Sequence, residues 1–341
     1  SGREIDYMNP QAVIWIISGK CNLNCIHCYA SRFLSLPHLT VEERLRLIRE
    51  LADNGVMHIG ITGGEPLLEE NLELYIKEIR DHSMTCDVNT NATLMNAEKA
   101  RFFKRHEVFL YVSIDGASKE THERIRGRGN WERLMKGLDI ISREELEFST
   151  VMTISKLNYR EMGDYVRLAE KVGAFSACMI PLMPSGRATD EIIPSEKELV
   201  QALKSAEAAA DELDYWISVW CFRPAKLIIN PKYVSTWADC RKGKIIDIDP
   251  AGNIMLCDVL DITIANVRKG FRRALEEYSE NEIVRKVMNP KLEEPCRSCP
   301  IRHECAGGCY ARSYIAYKRF DGPDPYCPLA KSVKKLEEIS R

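Results

Sequence analysis

At 341 residues and 45% hydrophobic content, the chain can build one large core plus a smaller appended unit. Its formal charge of −2 excludes a chain-wide basic surface for nucleic acid, and no run of about 18 apolar residues marks a membrane span. With no secretory signal pattern at the N-terminus, a soluble cytoplasmic protein is expected, without nucleic-acid or membrane partners and of open oligomeric state. Thirteen cysteines in clustered spacings fit metal binding better than a disulfide framework, and imply an oxygen-sensitive protein from an anaerobic setting. The opening Ser-Gly-Arg reads as a tag remnant ahead of Met8.

In chain order, six near-continuous apolar runs read as strands covered on both faces: 12–18 (AVIWIIS), 58–63 (HIGITG), 85–90 (TCDVNT), 108–115 (VFLYVSID), 148–155 (FSTVMTIS) and 175–183 (FSACMIPLM). Helical stretches alternate with them. Thr40 with Glu43 reads as a capping box opening a helix to about Asp53, where Asn54-Gly55 stops it. Asn158 is expected to cap a helix running to Val172. The pattern is α/β, a partial (β/α)6 TIM barrel, with its functional face at the C-terminal strand ends. Ser195 with Glu198 opens a further helix to about Leu213, and from Cys221 onward cysteines dominate. The expected division is 12–190 for the barrel, 191–235 for a helical linker and 236–335 for a cysteine-rich unit. Cys86 and Cys178 fall within strands and belong to the core.

The loop after the first strand, CNLNCIHC, places Cys21, Cys25 and Cys28 in a C-x3-C-x2-C spacing that can hold three irons of a 4Fe-4S cluster and leave the fourth open. Structural zinc or a purely electron-carrying cluster are the alternatives. His27 offers a fourth ligand, but sits between cysteines where its ring has little room to turn inward. Gly63-Gly64-Glu65-Pro66 follows the second strand; its glycines let the backbone approach a ligand closely, and Glu65 supplies a charge for an ammonium group. Taken alone, such a sequence is an ordinary turn.

Together, CNLNCIHC and GGEP resemble the radical S-adenosylmethionine (SAM) enzymes. The resemblance implies a 4Fe-4S cluster on the three cysteines and SAM chelated to its open iron. Reductive cleavage of SAM then gives a 5'-deoxyadenosyl radical that abstracts a substrate hydrogen. Ser113 and Asp115 in YVSIDG match the place where such enzymes contact ribose or substrate, and Asn91 in NTNAT borders the same face. Each residue type also favours strand ends and turns. Arg187 in IPLMPSGRA is available to a carboxylate or to SAM. His27 occupies the position of a usual aromatic residue and implies adenine stacking.

Cys240, Cys257, Cys296, Cys299, Cys305, Cys309 and Cys327 resemble the seven-cysteine pattern of SPASM domains, a zinc ribbon being the alternative for the four closest together. That resemblance implies two auxiliary 4Fe-4S clusters, three in all. Cys296, Cys299, Cys305 and Cys327 would bind one; Cys240, Cys257 and Cys309 would bind the other. Cys221 is a candidate fourth ligand, although its distance from Cys240 is longer than in fully ligated examples. Asp258 matches the position of a proposed catalytic base in anaerobic sulfatase-maturating enzymes; the alternative is a turn residue of the hairpin DIDPAGNIMLCD.

The implied activity is that of an oxidoreductase modifying a peptide or protein side chain, supplied with electrons by a ferredoxin or flavodoxin. The first strand begins only about a dozen residues in, without the leader-recognition domain of many peptide-modifying members, so a separate recognition protein or a folded protein substrate is expected. Tetrapyrrole side-chain chemistry in alternative haem synthesis is the enzymatic alternative, through the GGCYARSY-like segment. A multi-cluster electron carrier is the non-enzymatic one, and the intact GGEP opposes it.

Overall fold

The strands expected from the apolar runs are present in the computed structural model, which describes residues 8–230, 232, 234–237 and 240–330. The opening Ser-Gly-Arg and residues 331–335 of the expected cysteine-rich unit lie outside them. The first six strands are β1 (Ala12–Ile16), β2 (His58–Thr62), β3 (Thr85–Thr90), β4 (Phe109–Ser113), β5 (Phe148–Ile154) and β6 (Ala177–Pro181). They are parallel and paired in chain order.

The sheet is wider than the six strands expected. β7 (Ile217–Trp220) and β8 (Val234–Trp237) continue it in parallel beyond β6, the first within the segment read as a helical linker and the second across its end. On the other side β9 (Ile245–Ile248) pairs in parallel with β1, and β10 (Asn253–Met255) and β11 (Thr263–Asn266) follow antiparallel. The order β11-β10-β9-β1-β2-β3-β4-β5-β6-β7-β8 leaves β8 and β11 as edges, so the barrel stays open. These added strands have three or four residues each, too short for their apolar pattern to stand out in the sequence.

Between strands run α1 (Val41–Asp53), α2 (Leu72–Asp81), α3 (Ala97–Arg105), α4 (Lys119–Arg126), α5 (Asn130–Arg143), α6 (Met162–Lys171) and α7 (Glu196–Leu213). Both expected capping boxes form: Thr40 and Glu43 bond each other's backbone N–H at α1, and Ser195 and Glu198 do so at α7. Asn158 stands at the N-cap position of the turn Tyr159–Glu161 that leads into α6, but its side chain makes no cap hydrogen bond. Its Oδ1 accepts from the Ser155 N–H, and its Nδ2 donates to the Asp115 and Thr153 carbonyls, which ties the ends of β4 and β5 together.

The core joins both faces of the sheet. Val13, Ile59, Ile61, Leu110, Val112, Met152 and Met179 are fully buried between strand neighbours and helices. Trp15 packs on Tyr75 of α2 with ring centroids 6.0 Å apart. Cys86 and Cys178 are buried, as expected of small core residues. Among the described residues, no helix is long and apolar enough to cross a membrane.

Leu110 is fully buried in β4 between β3 and β5, so Leu110→Ala should cost about 2–5 kcal/mol. A urea-denaturation midpoint corresponding to a loss well under 1 kcal/mol would contradict this placement.

Candidate active site

The cysteine loop lies where β1 ends, and the segment after β2 fixes it. Gly63 has φ +153°, and a Cβ there would lie 2.4 Å from the Ser18 carbonyl oxygen; one on Gly64 would lie 2.0 Å from that of Lys20. The Gly64 N–H donates to the Ser18 carbonyl at 2.7 Å and the Glu65 N–H to that of Lys20 at 2.8 Å. The two glycines therefore allow close contact with the chain entering the loop, rather than with a ligand. Pro66 begins the turn after Glu65.

Glu65 is buried. Its Oε1 accepts from the Leu67 N–H and the Thr90 hydroxyl, and its Oε2 from the Asn91 N–H. Burial pushes its pKa up, against these donors. Asn91 turns its amide to the Cys21 Sγ at 3.9 Å and to the Asn22 Oδ1 at 3.1 Å. Cys21 and Cys28 face a hollow of about 300 Å³ together with Asn24, Ser31, Leu34 and Arg187.

Three sequence expectations change here. Arg187 closes on the loop itself: its guanidinium bonds the Asn24 Oδ1 and the Cys25 carbonyl, and its backbone N–H donates to the Cys28 carbonyl at 3.0 Å. The His27 ring is turned inward, buried, with Nε2 2.7 Å from the Asp115 Oδ2, so it does not lie open for stacking. Asp115 is fully buried and its carboxylate is occupied by His27, by the Arg126 Nε at 2.6 Å and by the Thr153 N–H at 2.9 Å. Loop, helix and strand meet at that one group. Ser113 is half-buried at the end of β4.

Burial alone would raise the Asp115 pKa, but Arg126 and His27 hold it well below the usual carboxylate range. Arg126 was missed in the sequence, where it reads as the last basic residue of an exposed helix. Its Nη1 lies 4.0 Å from the Cys25 Sγ. Burial pushes the Cys21 thiol up to about 11 and raises that of Cys25. All thirteen cysteines are free, so the loop's thiols are available as ligands. Three thiols on one loop, with an amide and a guanidinium aimed at the sulfurs, suit a cluster ligated at three corners.

The later cysteines fall into two sets. Cys296, Cys299, Cys305 and Cys327 line one hollow with Arg302 and Asp324. Cys240 and Cys309 lie within electrostatic reach of both Cys221 and Cys257, and burial raises all four thiols. Cys221 directly follows β7 with φ +53°, and the Arg312 guanidinium donates to its carbonyl at 3.2 and 3.3 Å. The same guanidinium pairs with fully buried Asp324 at 2.5 Å, and Asp324 accepts from the Cys309 N–H. Arg312 belongs to the last helix among the described residues, Tyr310–Tyr317.

Asp258 follows β10. Its N–H donates to the Asp247 Oδ2 at 2.9 Å, and its Oδ1 lies 3.7 Å from the Cys257 Sγ. Asp247, Cys257 and Asp258 bring their ligand atoms within 4.8 Å of one another. Burial and then mutual repulsion push the Asp247 carboxyl up; burial also raises Asp258, opposed by a hydrogen bond from Tyr29. Tyr29 directly follows Cys28, so this residue relates the first loop to the connection after β10.

Residues 15–169 match the radical SAM superfamily. This chain carries a radical SAM domain. Radical SAM proteins use a 4Fe-4S cluster and SAM. The chain is 29% identical to an AdoMet-dependent heme synthase of Methanosarcina barkeri, over 93% of this chain and 96% of that one. It is 25% identical to the mycofactocin maturase MftC of Mycolicibacterium smegmatis, over 96% and 85%. Its fold superposes on Streptococcus suis SuiB bound to the precursor peptide SuiA, with TM-score 0.76 at 16% identity, covering 96% of this chain and 78% of that one. It also superposes on anSMEcpe with bound AdoMet, with TM-score 0.74 at 18% identity, covering 96% and 98%. The partial barrel thus has the radical SAM fold, and a cysteine-rich C-terminus follows it.

Gly64→Ala should displace the loop and lose about one cluster's worth of iron after anaerobic reconstitution; full iron binding would refute the packing argument. A second outcome concerns His122, whose Nδ1 accepts the Asp115 N–H at 3.2 Å. Burial, then Arg126, lower its pKa from 6.5 to about 4. It folds neutral, so the stability it lends is intact above pH 6.5 and is lost as pH falls towards 4. His122→Gln should flatten that limb in urea midpoints taken across the range.

Proposed function

We propose that this chain is a radical SAM oxidoreductase that modifies a peptide or protein side chain. The observation that carries the reading is the pair of four-cysteine sets assembled beyond the radical SAM domain, since oxidation of a substrate radical needs electron acceptors. When bound, the cluster and SAM together supply a 5'-deoxyadenosyl radical by reductive cleavage.

The chain's own residues divide the remaining work. Cys21, Cys25 and Cys28 would hold the first cluster, and Gly63, Gly64, Glu65 and Pro66 would shape the SAM side of the loop. Asn91 and Arg187 would keep the loop in register, with Ser113 facing the same site. His27 and Asp115 would act beneath the loop. Cys296, Cys299, Cys305 and Cys327 would hold one auxiliary cluster, and Cys240, Cys257, Cys309 and Cys221 the other, which makes Cys221 its fourth ligand. Asp258, paired with Asp247 and reached by Tyr29, would take the proton released as the substrate radical is oxidised. A ferredoxin or flavodoxin would deliver the reducing electron.

A peptide substrate draws support from the mycofactocin maturase, from the Bacillus subtilis subtilosin biosynthesis protein AlbA at 25% identity, and from SuiB holding its precursor peptide. Tetrapyrrole modification is the second reading, favoured by the 29% identity to the heme synthase over 96% of its length.

Under anaerobic reduction the reconstituted protein should convert SAM to 5'-deoxyadenosine, and Cys25→Ala should lower that rate at least about 100-fold. Equal product from both would return the protein to the electron-carrier class. Cys221→Ala should lose about one cluster's worth of iron while keeping SAM cleavage; unchanged iron would remove Cys221 from the ligand set. Mass loss from an added peptide, against change in an added tetrapyrrole, separates the two substrate readings.

A further inference from the structure

We propose that Arg126 is a positioning residue that raises the reduction potential of the cluster held by Cys21, Cys25 and Cys28. The proposal rests on assigning those three cysteines as cluster ligands.

The argument starts from where α4 ends. The Ile26 N–H, next to Cys25, donates to the Ile125 carbonyl at 3.1 Å, so the cysteine loop docks on the C-terminal turn of a helix. That end carries the negative pole of the helix and works against added negative charge. Arg126, the last residue of α4, reverses the local sign. Its Nε is fixed by the Asp115 Oδ2 at 2.6 Å, and its Nη1 reaches past that carboxylate to 4.0 Å from the Cys25 Sγ.

The fork has little freedom to move away. The Arg126 side chain is 12% exposed, the Asp115 side chain 0%, and Asp115 is held in turn by His27 and the Thr153 N–H. Asp115 thus aims the guanidinium and offers no free oxygen to the loop. Reduction adds one electron to the cluster and no proton, so the reduced state is the more negative by one charge. A fixed cation at this distance, screened little by solvent, favours that state. Burial of the loop alone would disfavour it.

The test is an EPR-monitored potentiometric titration of the anaerobically reconstituted full-length protein. The relevant signal is the one that disappears when Cys21, Cys25 and Cys28 are all changed to Ala. In Arg126→Gln, at the wild-type midpoint, the ratio of reduced to oxidised cluster should fall at least about tenfold, equivalent to about 59 mV for one electron. Arg126→Lys, which keeps the charge, should hold the change below about threefold. Because Arg126→Gln leaves Asp115 without its cation, the double variant Arg126→Gln/Asp115→Asn is titrated beside it; it should also fall, by less than the single variant. Lower iron content with an unmoved midpoint in either Gln-bearing variant would reduce Arg126 to a structural role and overturn the proposal. If no signal vanishes in the triple alanine protein, the cluster assignment fails instead.

Discussion

The buried carboxylate of Asp115 is the group on which the first site's geometry depends. It accepts from His27 of the cysteine loop, Arg126 of α4 and the backbone of β5, so three segments far apart in sequence are tied at one side chain. A fully buried carboxylate is tolerable only when its lone pairs are filled and a cation stands beside it. Removing one partner of such a pair typically costs about 3–5 kcal/mol, because the charge left behind is uncompensated. The loop's conformation is therefore coupled to the end of α4 and to β5.

The same solution recurs in the C-terminal half. Arg312 and Asp324 form a buried ion pair that touches both cysteine sets: the guanidinium holds the Cys221 carbonyl, and the carboxylate caps the Cys309 N–H and lines the hollow of the other set. Cys221 lies far from Cys309 in the chain and adopts a left-handed backbone conformation that a non-glycine residue rarely takes up unless held. Arg312 supplies that hold.

Sheet continuity joins the two halves. Because β9 pairs directly with β1, the strand that launches the first cysteine loop also borders the hairpin that leads to Cys257 and Asp258. Tyr29, next in the chain to Cys28, lies within electrostatic reach of Asp258. The first cysteine loop, Cys257 and Asp258 therefore follow strands that stand close together in one sheet.

The sequence determined the local features: six strands from apolar runs, two helix starts from capping boxes, the C-x3-C-x2-C loop, GGEP and the spacing of the later cysteines. These depend on interactions within a few residues, so short motifs encode them. The tertiary structure decided what long-range contact controls. It added short strands whose identity comes from pairing, and brought Cys221 to Cys240 and Cys309. It turned His27 inward, set Arg187 on the loop and drew the Asn158 side chain away from its expected capping bond. Arg126 is the clearest case: at the end of a polar helix it reads as a solvated charge, and only the fold brings it beside the Cys25 sulfur. A side chain's burial and partners are properties of the packed chain, so its electrostatic role cannot be read from its neighbours in sequence.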